Sequence, residues 1–151
     1  MKRPLALLLL AASAALLLSG CTNITPAFAG LNTTLGRIER DASGKVTATM
    51  RFVNPNLAAY NVSKTAHRVT LDGVSIGTVN IERPFGIPPQ TTIEQVAELA
   101  VDGPGASALD AALARGSASY RVDSTLTFQL FGENKEIIKS SASGTAPMGP
   151  R

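Results

Sequence analysis

From residue 31 onward, apolar and polar positions alternate along most of the chain, which predicts half-buried β-strands. Across Lys45–Asn54, Val46, Ala48, Met50 and Phe52 share one face, while Thr47, Thr49 and Arg51 share the other. Leu35–Asp41 reads as its partner strand, joined through an Asp41-Ala-Ser-Gly44 turn. His67–Leu71 alternates again, and Asp72-Gly73 is a hairpin signal leading into Val74–Ile76, with Val79–Arg83 continuing that edge. Thr91–Val101 carries Ile93, Ala97, Leu99 and Val101 on one face, and a break in the pattern near Gln95 predicts a bulge. The longest candidate, Tyr120–Phe131, places Val122, Ser124, Leu126, Phe128 and Leu130 on one side; Glu133-Asn134 then turns the chain back into Lys135–Ala146.

One segment has a different period. Ser107-Ala-Leu-Asp110 has the form of a capping box, Leu109 and Leu113 are four apart, and Arg115-Gly116 closes the element. This predicts a helix of two or three turns with both leucines against the sheet. Together the elements predict an all-β fold, an antiparallel immunoglobulin/fibronectin-III-like β-sandwich of six to seven strands with one short helix.

The N-terminus follows neither pattern. Lys2 and Arg3 precede an unbroken run of Leu, Ala and Ser from Leu5 to Leu18, followed by Ser19, Gly20 and Cys21. A spanning helix needs about 20 apolar residues, and this run of fourteen is too short. It has the length of a signal h-region, and Leu18-Ser-Gly-Cys21 reads as a bacterial lipobox, with cleavage between Gly20 and Cys21 and lipid on the Cys21 thiol. Three acyl chains, at about 0.8 kcal/mol per buried CH₂, would make the attachment effectively permanent. The domain boundaries follow: signal 1–20, lipidated cysteine and tether 21–30, folded domain 31–146, tail 147–151. Thr22 stands where resemblance to Gram-negative lipoproteins would associate an Asp with inner-membrane retention, so in a host with two membranes the expected location is the outer one, facing the periplasm.

Removing the signal changes the charge argument. The whole chain has a formal net charge of +3, but loss of Lys2 and Arg3 leaves twelve basic against eleven acidic residues. That balance gives no reason to expect nucleic acid as a partner. Cys21 is the only cysteine, so the fold must hold without disulfides, and with no Trp its core must come from aliphatic residues and a few Phe.

Three landmarks then fall in order. The strand ending at Val53 runs into Asn54-Pro55-Asn56; Gly86-Ile87-Pro88-Pro89-Gln90 opens the next long strand; Tyr120-Arg-Val-Asp-Ser-Thr-Leu126 follows the helix. This arrangement resembles the late embryogenesis abundant (LEA) type 2 family, also called the water stress and hypersensitive response (WHy) domain, over roughly residues 31–146. Pro89-Gln90 departs from it, standing where the family often has a small residue and Gly. Turn chemistry accounts for the motif: Pro55 fixes φ and ends sheet pairing, and Asn54 and Asn56 close local turns with their side chains. Asn54, Pro55, Asn56, Ile87, Pro88, Pro89 and Tyr120 are therefore read as structural.

Candidates for chemistry are few. His67 is the only histidine and has no Cys or acidic residue at ligand spacing, which argues against a metal site; no G-x-S-x-G elbow supports a nucleophile. Glu94 and Glu98 would share a helical face but lie in a strand, and Gly103-Pro104-Gly105 lacks the spacing of a phosphate loop. Arg37, Arg40, Arg51 and Arg68 are interspersed with acids and read as solvated strand faces. The expectation is a protein that is not an enzyme and uses no metal or cofactor. What the resemblance implies is a stress-protective role, against desiccation or cold, through weak contacts with protein or membrane clients. Two alternatives stay open: a carrier for a lipid or other hydrophobic ligand, and an envelope assembly subunit that binds a protein partner.

Overall fold

A computed structural model describes residue 28, residues 30–130 and residues 132–150. The signal segment, Gly20 and Cys21 lie outside the described residues. The strands are β1 (Asn32–Arg40), β2 (Val46–Asn54), β3 (Tyr60–Leu71), β4 (Val74–Ile81), β5 (Phe85–Ile87), β6 (Thr91–Val101), β7 (Ser117–Gln129) and β8 (Lys135–Pro150), with helix α1 (Ala106–Arg115) between β6 and β7.

The predicted turns are present, each with a clear cause. Asp41 Oδ1 accepts the N–H groups of Ser43 at 2.9 Å and Lys45 at 3.0 Å, closing the β1–β2 hairpin. Asp72 and Gly73 both adopt positive φ, 47° and 85°, the backbone of a type I′ turn whose twist matches its strands. Inward residues alternate as expected through Val46, Ala48, Met50 and Phe52 on β2, and through Tyr120, Val122, Ser124, Leu126 and Phe128 on β7. Leu130 lies past the end of β7 and is exposed.

The strands close into a barrel, which corrects the expected sandwich. All but β5 join one ring, β3-β4-β6-β2-β1-β8-β7, with β7 pairing back to β3. Two strands make the closure by serving both sides. β4 pairs with β3 along its length, and its Gly77–Val79 also pairs with Leu99–Val101 of β6. A register shift between Val69 and Thr70, opposite Ile76, bends β4 across that corner. β8 pairs with β7, then crosses so that Met148–Pro150 lies parallel to Ile38–Arg40 of β1. A barrel and a sandwich place the same alternate residues inside, so alternation alone does not separate them.

Four further expectations change. β6 pairs with β2 without a register break; Gln95 takes the inward side and Val96 is exposed. Ser107 does not cap α1, because a 3₁₀ turn over Gly103–Gly105 makes Gly105 the N-cap with no side-chain bond. The residues expected as a tail complete β8 and seal the barrel. At the other end, the tether stops short: Phe28 is buried, its ring 5.2 Å from Tyr60 and 4.7 Å from Phe128.

The two barrel ends are built differently. One is plugged by Phe28, Tyr60, Phe85 and Phe128, with the Phe52 ring tilted against Phe85 at 4.9 Å. α1 covers the other, burying Leu109 and Ala112. It seats closely, since a Cβ on Gly105 would stand 2.4 Å from Ile76 Cα. Arg115 pairs with Asp72 and Arg40 with Asp110 at 2.7 Å, holding both flanks of the helix.

Candidate functional site

The motif residues separated by about thirty positions in sequence form one structural unit. Asn54 ends β2 with its side chain buried. Its amide Nδ2 donates to Ala58 O at 2.8 Å and to Pro88 O at 2.9 Å, while Oδ1 accepts the Asn56 N–H at 2.9 Å. The Gln90 N–H donates to Asn56 O at 3.0 Å, and the Thr91 hydroxyl to Pro88 O at 2.9 Å. Asn54 thus staples the Asn54-Pro55-Asn56 loop to the Ile87-Pro88-Pro89 turn at the aromatic end. Gln90, next after Pro88-Pro89, adopts φ 52°, a left-handed conformation that glycine takes more readily. Tyr120 sits apart, near the helical end, opposite Gly144, and its ring fills the space where a Cβ on Gly144 would lie, 3.1 Å away.

His67 lies inside the barrel. One ring nitrogen, Nδ1, is 2.8 Å from Ser124 Oγ and the other, Nε2, is 2.7 Å from Thr65 Oγ1, with the Phe52 ring 5.7 Å away. Burial pushes the imidazole pKa down to about 4, so the ring is neutral at pH 7. Whichever nitrogen carries the proton, both are occupied by hydroxyls that are themselves buried. The cluster satisfies its own polar groups and presents nothing to solvent. Among the described residues, no three His, Cys, Asp or Glu side chains are grouped to hold a metal ion.

An open cleft of about 700 Å³ lies on the outer face of β3, β4, β7 and β8. Ala66, Thr78, Thr125 and Ser141 give it a small, hydroxyl-rich lining, and Arg68, Asp123 and Lys139 add charge. Register explains the grouping: Arg68 pairs with Asp123 and Asp123 with Ser141, while Ala66 pairs with Thr125 and Thr125 with Lys139. Arg121 grips Asp123 at 2.9 Å, and this bond, with that from the Ser141 hydroxyl, holds the carboxyl below its ordinary value. Asp123 therefore serves there as a hydrogen-bond acceptor for Arg121 and Ser141. No signal in the sequence groups these residues, because their proximity depends on which strands pair. Of the four arginines read as a possible patch, Arg37, Arg40 and Arg51 form ion pairs with Glu39, Asp110 and Glu94, and Arg68 lies on a different wall.

No protein-family model matches the chain, and no curated protein matches it. Solved structures do resemble it. A protein of Arabidopsis thaliana solved in solution is 15% identical, with 80% of each chain covered and a TM-score of 0.51. A crystal structure of a protein from Archaeoglobus fulgidus is 16% identical over 77% of this chain and 93% of that one, with a TM-score of 0.45. A candidate late embryogenesis abundant protein is 14% identical over 92% of this chain and 87% of that one, with a TM-score of 0.46. At such identities the first likeness concerns the fold alone: an all-β chain with one short helix, of a shape found in plants.

Proposed function

We propose that the chain is a lipid-anchored, non-catalytic protein of the bacterial envelope that protects proteins or membranes against desiccation or cold by weak surface contacts. The observation that carries this reading is the Asn54 staple. Two of the three landmarks of the LEA type 2 resemblance, the Asn54-Pro55-Asn56 loop and the Ile87-Pro88-Pro89 turn, are joined by hydrogen bonds from Asn54, while Tyr120 lies apart from them. Anchoring rests on the lipobox at Leu18–Cys21. Six residues separate Cys21 from Phe28, a contour of about 20 Å at full extension. The barrel would therefore stand close to the membrane, with its aromatic end and the exposed Leu57 and Leu130 turned toward it. The carrier reading draws less support, because the approach of Gly105 to Ile76 leaves little room for a ligand beneath α1.

Two measurements test this. Residues 22–151, mixed with a labile enzyme before drying or freezing, should preserve more activity than an equal mass of albumin; protection no better than albumin would refute the shielding role. Cys21→Ala should abolish labelling by a fatty-acid probe and release the protein from the membrane fraction, whereas unchanged labelling would refute the anchor.

A further inference from the structure

β8 uses its two edges unequally. Its ladder with β7 runs without a register shift from Ser117–Pro147 to Gln129–Lys135. On the opposite edge only Met148–Pro150 is paired, to β1. From Lys135 to Pro147, no strand among the described residues is hydrogen-bonded to that second edge, although β1 also lies alongside β8 beyond the three paired residues. Such an edge presents alternate backbone N–H and C=O groups to whatever lies beside it. Proteins usually blunt long edges with charged side chains, lysine above all, or with prolines, bulges or inward charges; here Lys135 and Lys139 restrict the edge to a partner of opposite charge. Between Lys135 and Ala146 there is no proline and no bulge in the β7 ladder, and Glu136 is the only charge on the inward-facing side.

A second observation falls on the same seam. Two buried side-chain atoms lack a hydrogen-bond partner among the described residues: Thr33 Oγ1 on β1 and Ser140 Oγ on β8. They belong to the two strands that border the unpaired edge.

We propose that the free edge of β8 is a docking edge for an extended polypeptide strand whose outward residues run acidic, apolar, acidic. The outward face of β8 sets this chemistry. Lys135, Ile137 and Lys139 follow one another on it; Ile137 is 61% exposed, and neither lysine has an ion-pair partner among the described residues. In a paired strand the residues opposite these positions lie on the same face, so acidic groups meet the lysines and an apolar side chain covers Ile137. A second copy of the chain fits less well. Two β8 edges meeting about Ile137 would set Lys135 of each copy opposite Lys139 of the other, an unfavourable like-charge pair. The inference goes beyond the protective role and does not depend on the lipid anchor.

The test uses the full chain in detergent and a blocked, dye-labelled peptide, Thr-Asp-Thr-Val-Thr-Asp-Thr, with fluorescence anisotropy as the readout. Binding is expected, with slowed amide exchange confined to β8 and its border with β1. The same peptide with Lys for Asp, or the double variant Lys135→Glu with Lys139→Glu, should bind about tenfold more weakly, the size of two exposed ion pairs. N-methylating alternate peptide amides keeps every side chain but removes backbone donors, and one of the two methylation registers should abolish binding. Arg68→Ala, in the outer cleft that Lys139 also borders, should leave binding unchanged. No binding, indifference to both methylation registers, protection mapped to the β3 and β4 walls of the outer cleft, or self-association that excludes the peptide would each overturn the proposal.

Discussion

Replacing Asn54 tests the staple at the aromatic end. Its side chain makes two good donor bonds, 2.8 and 2.9 Å long, and accepts one at 2.9 Å, from a fully buried position. At about 1 kcal/mol net per bond, Asn54→Ala should cost about 3 kcal/mol, and more where Ala58 O, Pro88 O or the Asn56 N–H is left without water. With a urea slope of about 1.5 kcal/mol/M, the unfolding midpoint followed by far-UV circular dichroism should fall by about 2 M at unchanged slope. Asn54→Asp is the sharper comparison, because it keeps the shape and the acceptor but points an oxygen at two carbonyl oxygens. Its folded-state pKa should rise above the ordinary carboxylate value, since both burial and those carbonyls oppose the charge. The folded state then binds a proton that the unfolded state releases, so the variant should recover stability as pH falls through that raised pKa and gain no more below about 3.9. An Asn54→Ala midpoint within about 0.3 M of the parent would refute the staple, as would an Asn54→Asp deficit, relative to the parent, that is independent of pH.

Three other substitutions examine different parts of the barrel. His67 is held neutral with a pKa near 4, below the 6.5 of an unfolded histidine. The unfolded state therefore gains a proton first as pH falls, and about 3 kcal/mol should be lost between pH 7 and pH 4. His67→Gln should be less stable at pH 7 yet flatter over that range, and parallel pH profiles would contradict the assignment. Gly105→Ala would force a Cβ to within 2.4 Å of Ile76 Cα and should cost about 2–3 kcal/mol in urea unfolding. Gln90→Gly should stabilise by about 0.5–1 kcal/mol, because it relieves the positive φ while keeping the backbone bond to Asn56; a loss of stability would show that the Gln90 side chain matters more than its backbone.

Much of the fold was legible because period two is a local signal. The faces of β2 and β7, the Asp72-Gly73 turn and the leucines of α1 follow from neighbours a few residues apart. Closure was not legible. It depends on β4 reaching β6 and on β8 reaching β1, pairings that alternate residues in the same way whether they form or not. The Gln95 irregularity misled for a related reason: a polar residue turned inward looks, in sequence, like a slipped register. Phe28 carries no local sign of burial, because its partners, Tyr60 and Phe128, are distant in the chain. The site residues divide along the same line. Turn roles for Asn54, Pro55 and Asn56 were readable from residue type, whereas the bond from Asn54 to Pro88 O joins positions 34 apart and leaves no local mark.

The chain enters the barrel at Phe28, beside the Asn54 staple and the start of β8 at Lys135, and all three lie at the aromatic end. An anchor at Cys21 would therefore hold that end toward the lipid and α1 away from it. The unpaired edge of β8 would then run from the membrane side up the barrel wall, reachable by a partner strand approaching along the surface. This geometry links the two proposals without making either depend on the other. If Cys21→Ala leaves peptide affinity unchanged but lowers capture of a membrane-tethered copy of the same peptide, the anchor acts by raising local concentration. Equal capture by the lipidated and unlipidated chains would mean that the edge does not face the membrane-bound partner in this way.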